Sequence, residues 1–228
     1  MHLTEGRLAR VSRDGVVGAH AGVLEDYGCV ATAFLSVASA TGDRVWVDRA
    51  GALLETVLQR FAAGDGGFHD TADDAEALLV RPRDPSDNAS PSGHSAVIHA
   101  LLTYSALTGS GRHRDAAEAA LRISRRLADA SPRFAGWSLA AAETALHGPL
   151  EVAVVGPRGA ERDALELAAR RATHAGAVVV AAVPGESSIP LLAMRDVVDG
   201  RAAAYVCRNL VCHRPVTSVE DLLAELRG

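Results

Sequence analysis

From Leu24 onward the apolar positions recur at helical spacing. Val30, Phe34, Val37 and Ala38 fall on one face, and Thr41-Gly42-Asp43 ends the run with a glycine where a helix C-terminus takes one. A second run, Trp46, Ala50, Leu53, Leu54, Val57, Leu58 and Phe61, keeps the same period to Gly64, so the two predict an antiparallel helical hairpin. The pattern returns after a long polar stretch. One helix is predicted from about Ser92 to Leu107, closed by Thr108-Gly109, and another from about Arg112 to Ala130 through Ala116, Ala117, Ala120, Leu121 and Leu127. Thr41 and Thr108, Asp48 and Asp115, and Leu54 and Leu121 are each 67 residues apart, which marks an internal repeat. A fifth helix, about Ala135 to Leu146, has no partner.

Past Gly148-Pro149 the period changes. Glu151 to Val155, Ala177 to Val183 and Ala203 to Cys207 read as short, fully apolar strands, and Asp163 to Thr173 and Ser218 to Leu226 read as helices. Strand, helix, strand predicts a parallel βαβ unit. Ahead of the first helix, Leu8, Val11 and Val16-Val17 around Asp14-Gly15 suggest a short hairpin. The expected class is mainly α, with helical hairpins over 1–148 and a small α/β segment over 149–228.

The turn Asn88-Ala89-Ser90-Pro91-Ser92-Gly93-His94-Ser95 runs directly into the third helix. Pro91 disfavours helix at Ser90, and Ser90 or Ser92 can cap the free N–H groups, so the turn both stops the loop and starts the helix. Residues 64–91 form a long connection in which alternation is partial, and a β-hairpin over the mouth of the helices is the expectation.

Composition narrows the function classes. The 228 residues are 48% hydrophobic, enough for a real core, and the net charge of -5 comes with no basic stripe, which argues against nucleic acid and anionic membrane. No apolar run reaches the roughly 20 residues of a membrane span, and the N-terminal stretch lacks a signal-peptide core. A cytoplasmic location is expected. Three cysteines, Cys29, Cys207 and Cys212, are too few for a disulfide framework, so Cys207 and Cys212 are expected to stay reduced. With His213 they are too loosely spaced for a closed zinc site, and Gly156-Pro157-Arg158-Gly159 is not a dinucleotide fingerprint, so neither metal nor cofactor is expected.

Candidate chemistry gathers at the helix starts. First-of-pair helices in a hairpin repeat begin at one end, so Asp26, Tyr27, Asp70, Asn88, Ser92 and His94 are expected to line one concave rim. Asp26, Asp70 and His94 are the acid–base candidates, because glycosidic chemistry needs one protonated and one ionised group flanking the sugar. Glu25, Tyr27, Phe68, Asn88 and Ser92 are the substrate-binding candidates, with Trp46 as a further stacking surface. Each also has a plain structural role open to it: carboxylates suit a first helical turn, and acidic loop residues, Asp73, Asp74 and Glu76 among them, cap turns.

Leu24-Glu25-Asp26-Tyr27, Thr41-Gly42-Asp43, Gly66-Gly67-Phe68 with Asp70-Thr71, Asp87-Asn88-Ala89-Ser90-Pro91-Ser92-Gly93, and Ala204-Tyr205-Val206-Cys207-Arg208-Asn209 with Cys212 carry a family likeness. In these motifs the chain resembles the C-terminal part of the spermatogenesis-associated protein 20 family, whose bacterial members are called YyaL. The resemblance implies a six-hairpin α/α toroid like that of sugar epimerases and many glycosidases, and a carbohydrate-related role by analogy of fold. It also implies a thioredoxin-like domain, which this sequence lacks along with any C-x-x-C. A toroid needs twelve helices where five are predicted before Pro149, and His94 stands where the resemblance implies an asparagine. Two functions are therefore expected in alternative: a sugar-directed enzyme or half-enzyme, or a non-catalytic binding or assembly module. An open arc leaves an apolar edge, so self-association or a separate N-terminal partner chain is expected beside a sugar-like ligand.

Overall fold

The computed structural model describes residues 2–76, 78–171, 176–208 and 211–227. Two small hairpins open the chain, β1 (Leu3–Thr4) with β2 (Arg7–Leu8) and β3 (Ser12–Arg13) with β4 (Val16–Val17). The second is the expected one, turning at Asp14-Gly15; the first, turning at Glu5-Gly6, carries too little alternation to be read from sequence. Four helices follow as two hairpins, α1 (Leu24–Thr41) with α2 (Arg44–Arg60) and α3 (Gly93–Thr108) with α4 (Gly111–Ala130), and then α5 (Gly136–His147). The punctuation is as the turn chemistry dictates. Ser92 Oγ accepts from Ser95 N at 3.1 Å, the Asp43 carboxylate accepts from Val45 N at 3.0 Å, and Gly42 and Gly109 take the left-handed conformation that ends α1 and α3. Among the described residues the protein is mainly α, and no helix is long and apolar enough to cross a membrane.

The buried face of α1 differs from the expected one. Leu24, Tyr27, Gly28, Ala31, Leu35 and Ala38 face the core, while Val37 is exposed and Val30 and Phe34 are only partly covered. Small residues explain the shift: Gly28, Ala31 and Ala38 let α3 approach closely. A Cβ on Gly28 would stand 2.8 Å from the backbone of Ala96 and Val97, and one on Gly93 would stand 2.7 Å from Glu25 N. Hence α1 and α3 run parallel and start at one end, with α2 and α4 behind them. Helix α5 starts at that end too, since Ser138 Oγ lies 2.8 Å from Ser95 Oγ.

The α/β segment forms a four-stranded sheet in the order β6-β5-β7-β8, where β5 is Leu150–Val155, β6 Val178–Ala182, β7 Ala203–Arg208 and β8 Val211–Cys212. Strands β5 and β6 are parallel across α6 (Ala160–Arg171), as the βαβ pattern requires. Strand β7 is antiparallel to β5, however, and the connection from β6 is a turn-rich path with one 3-10 turn, Pro190–Leu192, where a parallel crossover takes an α-helix. The last residues of the predicted helix, through Thr173, and Asn209 lie outside the described residues. No strand occurs in the described part of 64–91, only a bridge from Ala62 to Phe68, so the expected hairpin over the helices is absent there.

Alternation along the strands places the sheet between two layers. Ala153, Val155, Val178 and Val180 join one core with Leu35, Ala38, Ile98 and Leu101 of the helical layer. Val152, Val154 and Val179 face the other way and pack with Leu165 and Ala169 of α6 and Leu222 of α7 (Val219–Glu225). Strand β5 is covered on both faces and α3 is buried along nearly its whole length.

Cys207 and Cys212 face each other across the β7–β8 pairing and their sulfurs are bonded, which corrects the expectation of two separate thiols. Their strand register brings the side chains together whatever the compartment.

Candidate functional site

The starts of α1 and α3 and the 64–91 connection enclose an open polar depression of about 240 Å³. Glu25, Asp70, Asn88 and Ser92 line it, with Asp84 and Ser86. Four of the eight candidate residues are thus brought together. The depression has a firm floor: Asp70 N donates to Pro82 O, Asp70 O accepts from Leu24 N, and the Asp70 carboxylate accepts from Asp84 N at 3.0 Å. Partial burial pushes the Asp70 carboxyl above its ordinary value, against the opposing pull of that Asp84 N–H. The group holds a proton more tightly than a free aspartate does.

The other four candidates are used in the structure itself. Asp26 turns back on its own helix, its carboxylate accepting from Val23 N at 2.8 Å, with Arg10 at 3.8 Å. Tyr27 is buried, its ring 5.0 Å from that of Phe61, and its hydroxyl accepts from Leu8 N at 3.0 Å, which ties the first hairpin to α1. Phe68 is buried 6.0 Å from the ring of His94. His94 itself is inside, its Nε2–H donating to Ala120 O at 3.1 Å to fasten α3 to α4, while its Nδ1 makes no hydrogen bond. Helical phase decides these fates. Glu25 and Tyr27 are two positions apart, so when one faces the depression the other turns to the core.

Burial holds the His94 pKa below its ordinary value, the Ala120 carbonyl opposing only in part, and His113 is held down in the same direction by burial. The sign follows directly. The unfolded chain binds these protons at a higher pH than the folded one, so the contribution of neutral His94 is complete above its unfolded value of about 6.5 and is lost as pH falls from there towards its lower folded value. Between pH 7.5 and 5.5 the parent should therefore lose stability more steeply than His94→Gln, by up to about 1.4 kcal/mol per pH unit, as read by denaturant melts at each pH. Equal slopes would show that His94 titrates freely in the fold.

Asp87 was not among the candidates, yet it organises the helix starts. It is buried, and its carboxylate accepts from Ser92 N at 2.9 Å, Trp137 N at 2.9 Å and Ser138 N at 3.2 Å. One side chain therefore caps the beginnings of α3 and α5 together. The sequence signal was its place in the Asp87-to-Gly93 turn, but the contact with α5, 50 residues on, has no local signature.

Other cavities stand apart from the depression. At the carboxyl ends of β5 and β6 a polar cleft of about 390 Å³ carries Arg44, Arg158 and Arg162 beside Asp43, Glu166 and Glu186. Its cations are partly engaged: Arg44 binds Asp48 and Ser188 O, and Arg158 lies 3.3 Å from Glu186. Between α4 and α5 runs an apolar groove of about 570 Å³, walled by Leu121, Ala128, Leu139, Ala142, Ala145 and Leu146. Leu139 is 46% and Leu146 84% exposed, so this face lacks a covering element in the described chain. Among the described residues no three His, Cys, Asp or Glu side chains converge as a metal site.

No family model matches the chain. Over 242 aligned residues it is 27% identical to spermatogenesis-associated protein 20 of Homo sapiens, and at the same identity it is similar to the proteins of that name in Mus musculus and Rattus norvegicus. Each match takes in 96% of this chain and 30% of the relative, so the chain spans less than a third of the length of the curated relatives it matches.

Proposed function

We propose that this chain is a partial member of the spermatogenesis-associated protein 20 (YyaL) family, an arc of an α/α toroid that works as an assembly module in the cytoplasm. Its α4/α5 groove would receive a helix from the part of the fold that the relatives possess beyond this stretch. The uncovered groove is the observation that carries the reading. Helix α5 starts at the same end as α1 and α3, and the wall between it and α4 presents Leu139 and Leu146 to solvent beside partly buried Leu121, with Glu118, Arg122, Arg125 and Asp129 on the rim. An apolar floor within a charged border suits a partner helix. The catalytic alternative is weaker, because Asp26 and His94 are both spent on backbone contacts.

A sugar-like ligand remains part of the proposal, at the depression. Glu25, Asp70, Asn88 and Ser92 offer acceptors and donors suited to vicinal hydroxyls, and the raised Asp70 carboxyl suits proton donation to a leaving oxygen. The tests separate the two parts. Mixed with a separately expressed helical region of a family member, the chain should form a one-to-one complex by light scattering, and Leu146→Asp should abolish it without lowering the melting temperature. A chain that stays monomeric and binds no such region overturns the assembly reading; self-association instead would make a second copy the occupant. A thermal-shift series with sugars and sugar phosphates should raise the melting temperature of the parent and not that of Asn88→Ala, and no shift with any of them removes the ligand.

A further inference from the structure

Cys207 lies on β7 with its side chain fully buried, and Cys212 lies on β8 at the solvent surface. The β7–β8 pairing sets them opposite each other, and their sulfurs are joined. Arg195 reaches both: its Nη2–H groups donate to Cys212 Sγ at 3.0 Å and to Cys207 Sγ at 3.4 Å. That guanidinium is held in place independently of the sulfurs. It stands 5.8 Å over the ring of Tyr205, its Nη1–H donates to Ala193 O, and Tyr205 Oη fixes the same loop by donating to Asp196 O at 2.8 Å.

A staple that served only the fold would gain little from this arrangement. The cysteines are five positions apart on strands that already pair, so the bond closes a very short loop and removes little entropy from the unfolded chain. Nor does a neutral disulfide need a cation between its sulfurs. A thiolate does: an adjacent guanidinium stabilises the anion and makes the sulfur that carries it a better leaving group.

We propose that Cys207 and Cys212 are a thiol–disulfide exchange site for a low-molecular-weight thiol. Cys212 is the sulfur attacked, and Arg195 holds the departing Cys207 thiolate. The thiolate of the small thiol attacks the exposed Cys212 Sγ; a bond forms between the two sulfurs, the Cys207–Cys212 bond breaks, and its electron pair goes to Cys207 Sγ beside Arg195. A second small thiolate then attacks the small-thiol sulfur of that mixed disulfide and releases Cys212. The two protons given up by the small thiols balance those taken by the cysteines, so two small thiols and one protein disulfide become one small disulfide and one protein dithiol. The same steps run backwards under a small disulfide. Cys29 takes no part: partial burial, then Glu25 and Asp26, push its thiol up and keep it protonated.

The test uses the full chain with Cys29→Ser, equilibrated in glutathione and glutathione disulfide at graded ratios, trapped by acid and counted by alkylation and mass spectrometry. The pair is expected to pass from oxidised to reduced within the folded state, and Arg195→Met to require a ratio about tenfold more reducing, while Arg195→Lys stays close to the parent. A pair that remains oxidised at every ratio until the chain is denatured overturns the proposal, as does an Arg195→Met chain that titrates with the parent. Two single-cysteine chains keep the test decisive should Arg195→Met fail to fold. With glutathione disulfide, Cys207→Ser should form the mixed disulfide at Cys212 rapidly and Cys212→Ser should do so slowly at buried Cys207; the opposite order refutes the assignment.

Discussion

Asp87→Ala is expected to cost about 3 kcal/mol and to lower the melting temperature by about 6–12 °C. The Asp87 carboxylate is the shared acceptor for Ser92 N, Trp137 N and Ser138 N, and alanine leaves all three donors without it where water reaches them poorly. Asp87→Asn keeps one acceptor oxygen but turns an NH2 group towards a backbone N–H, so it should recover only part of the loss. The damage should also be localised. Amide exchange is expected to accelerate first at the beginnings of α3 and α5 and to leave α6 and the sheet protected. A melting temperature within a degree or two of the parent would mean that the two helix starts are fastened elsewhere.

Gly28 supplies the second large effect, because two expectations there oppose each other. In an ordinary helix interior Gly→Ala adds about 1 kcal/mol of stability. At Gly28 the new Cβ would stand 2.8 Å from Ala96 C, from Ala96 Cβ and from Val97 N, and the backbone atoms among these cannot rotate away. The two helices must part, and α3 is fixed by α4, α5 and the sheet on its other sides. Gly28→Ala is therefore expected to destabilise by about 1–2 kcal/mol and Gly28→Val by about 3 kcal/mol or more, in denaturant unfolding with an unchanged m-value. A Gly28→Ala chain more stable than the parent would show that α1 and α3 sit farther apart than described.

How far the sequence could be read depended on the range of the interaction concerned. Helices and their ends were legible because capping and glycine termination are decided within a few residues, as at Ser92, Gly42 and Gly109. The stripe of α1 was misread because Val30, Phe34 and Val37 are the larger apolar groups, whereas the packed face is chosen by small ones, Gly28, Ala31 and Ala38, that permit close approach. The hairpin repeat gave the common end of α1 and α3 but not the direction each side chain takes around its helix. That is why Glu25 and Ser92 meet in the depression while Tyr27 and His94 serve the core. Strand polarity was not legible either: fully apolar strands report burial on both faces, and the antiparallel return of β7 follows a connection without period. The Asp87 and Arg195 contacts were beyond reach, since each joins segments that neither propensity nor spacing relates.

The core that the helical layer shares with the sheet has a consequence for biosynthesis. Helices α1 to α5 leave the ribosome first, with Leu35, Ala38 and Ile98 turned to a face that Ala153, Val155, Val178 and Val180 fill only later. The nascent chain can coil its helices early, but it cannot dry that face until β6 has emerged, about 90 residues after α3 begins. At a translation rate of about 5–20 residues per second the half-finished layer stands open for about 5–18 s. During that interval a chaperone has first access to it.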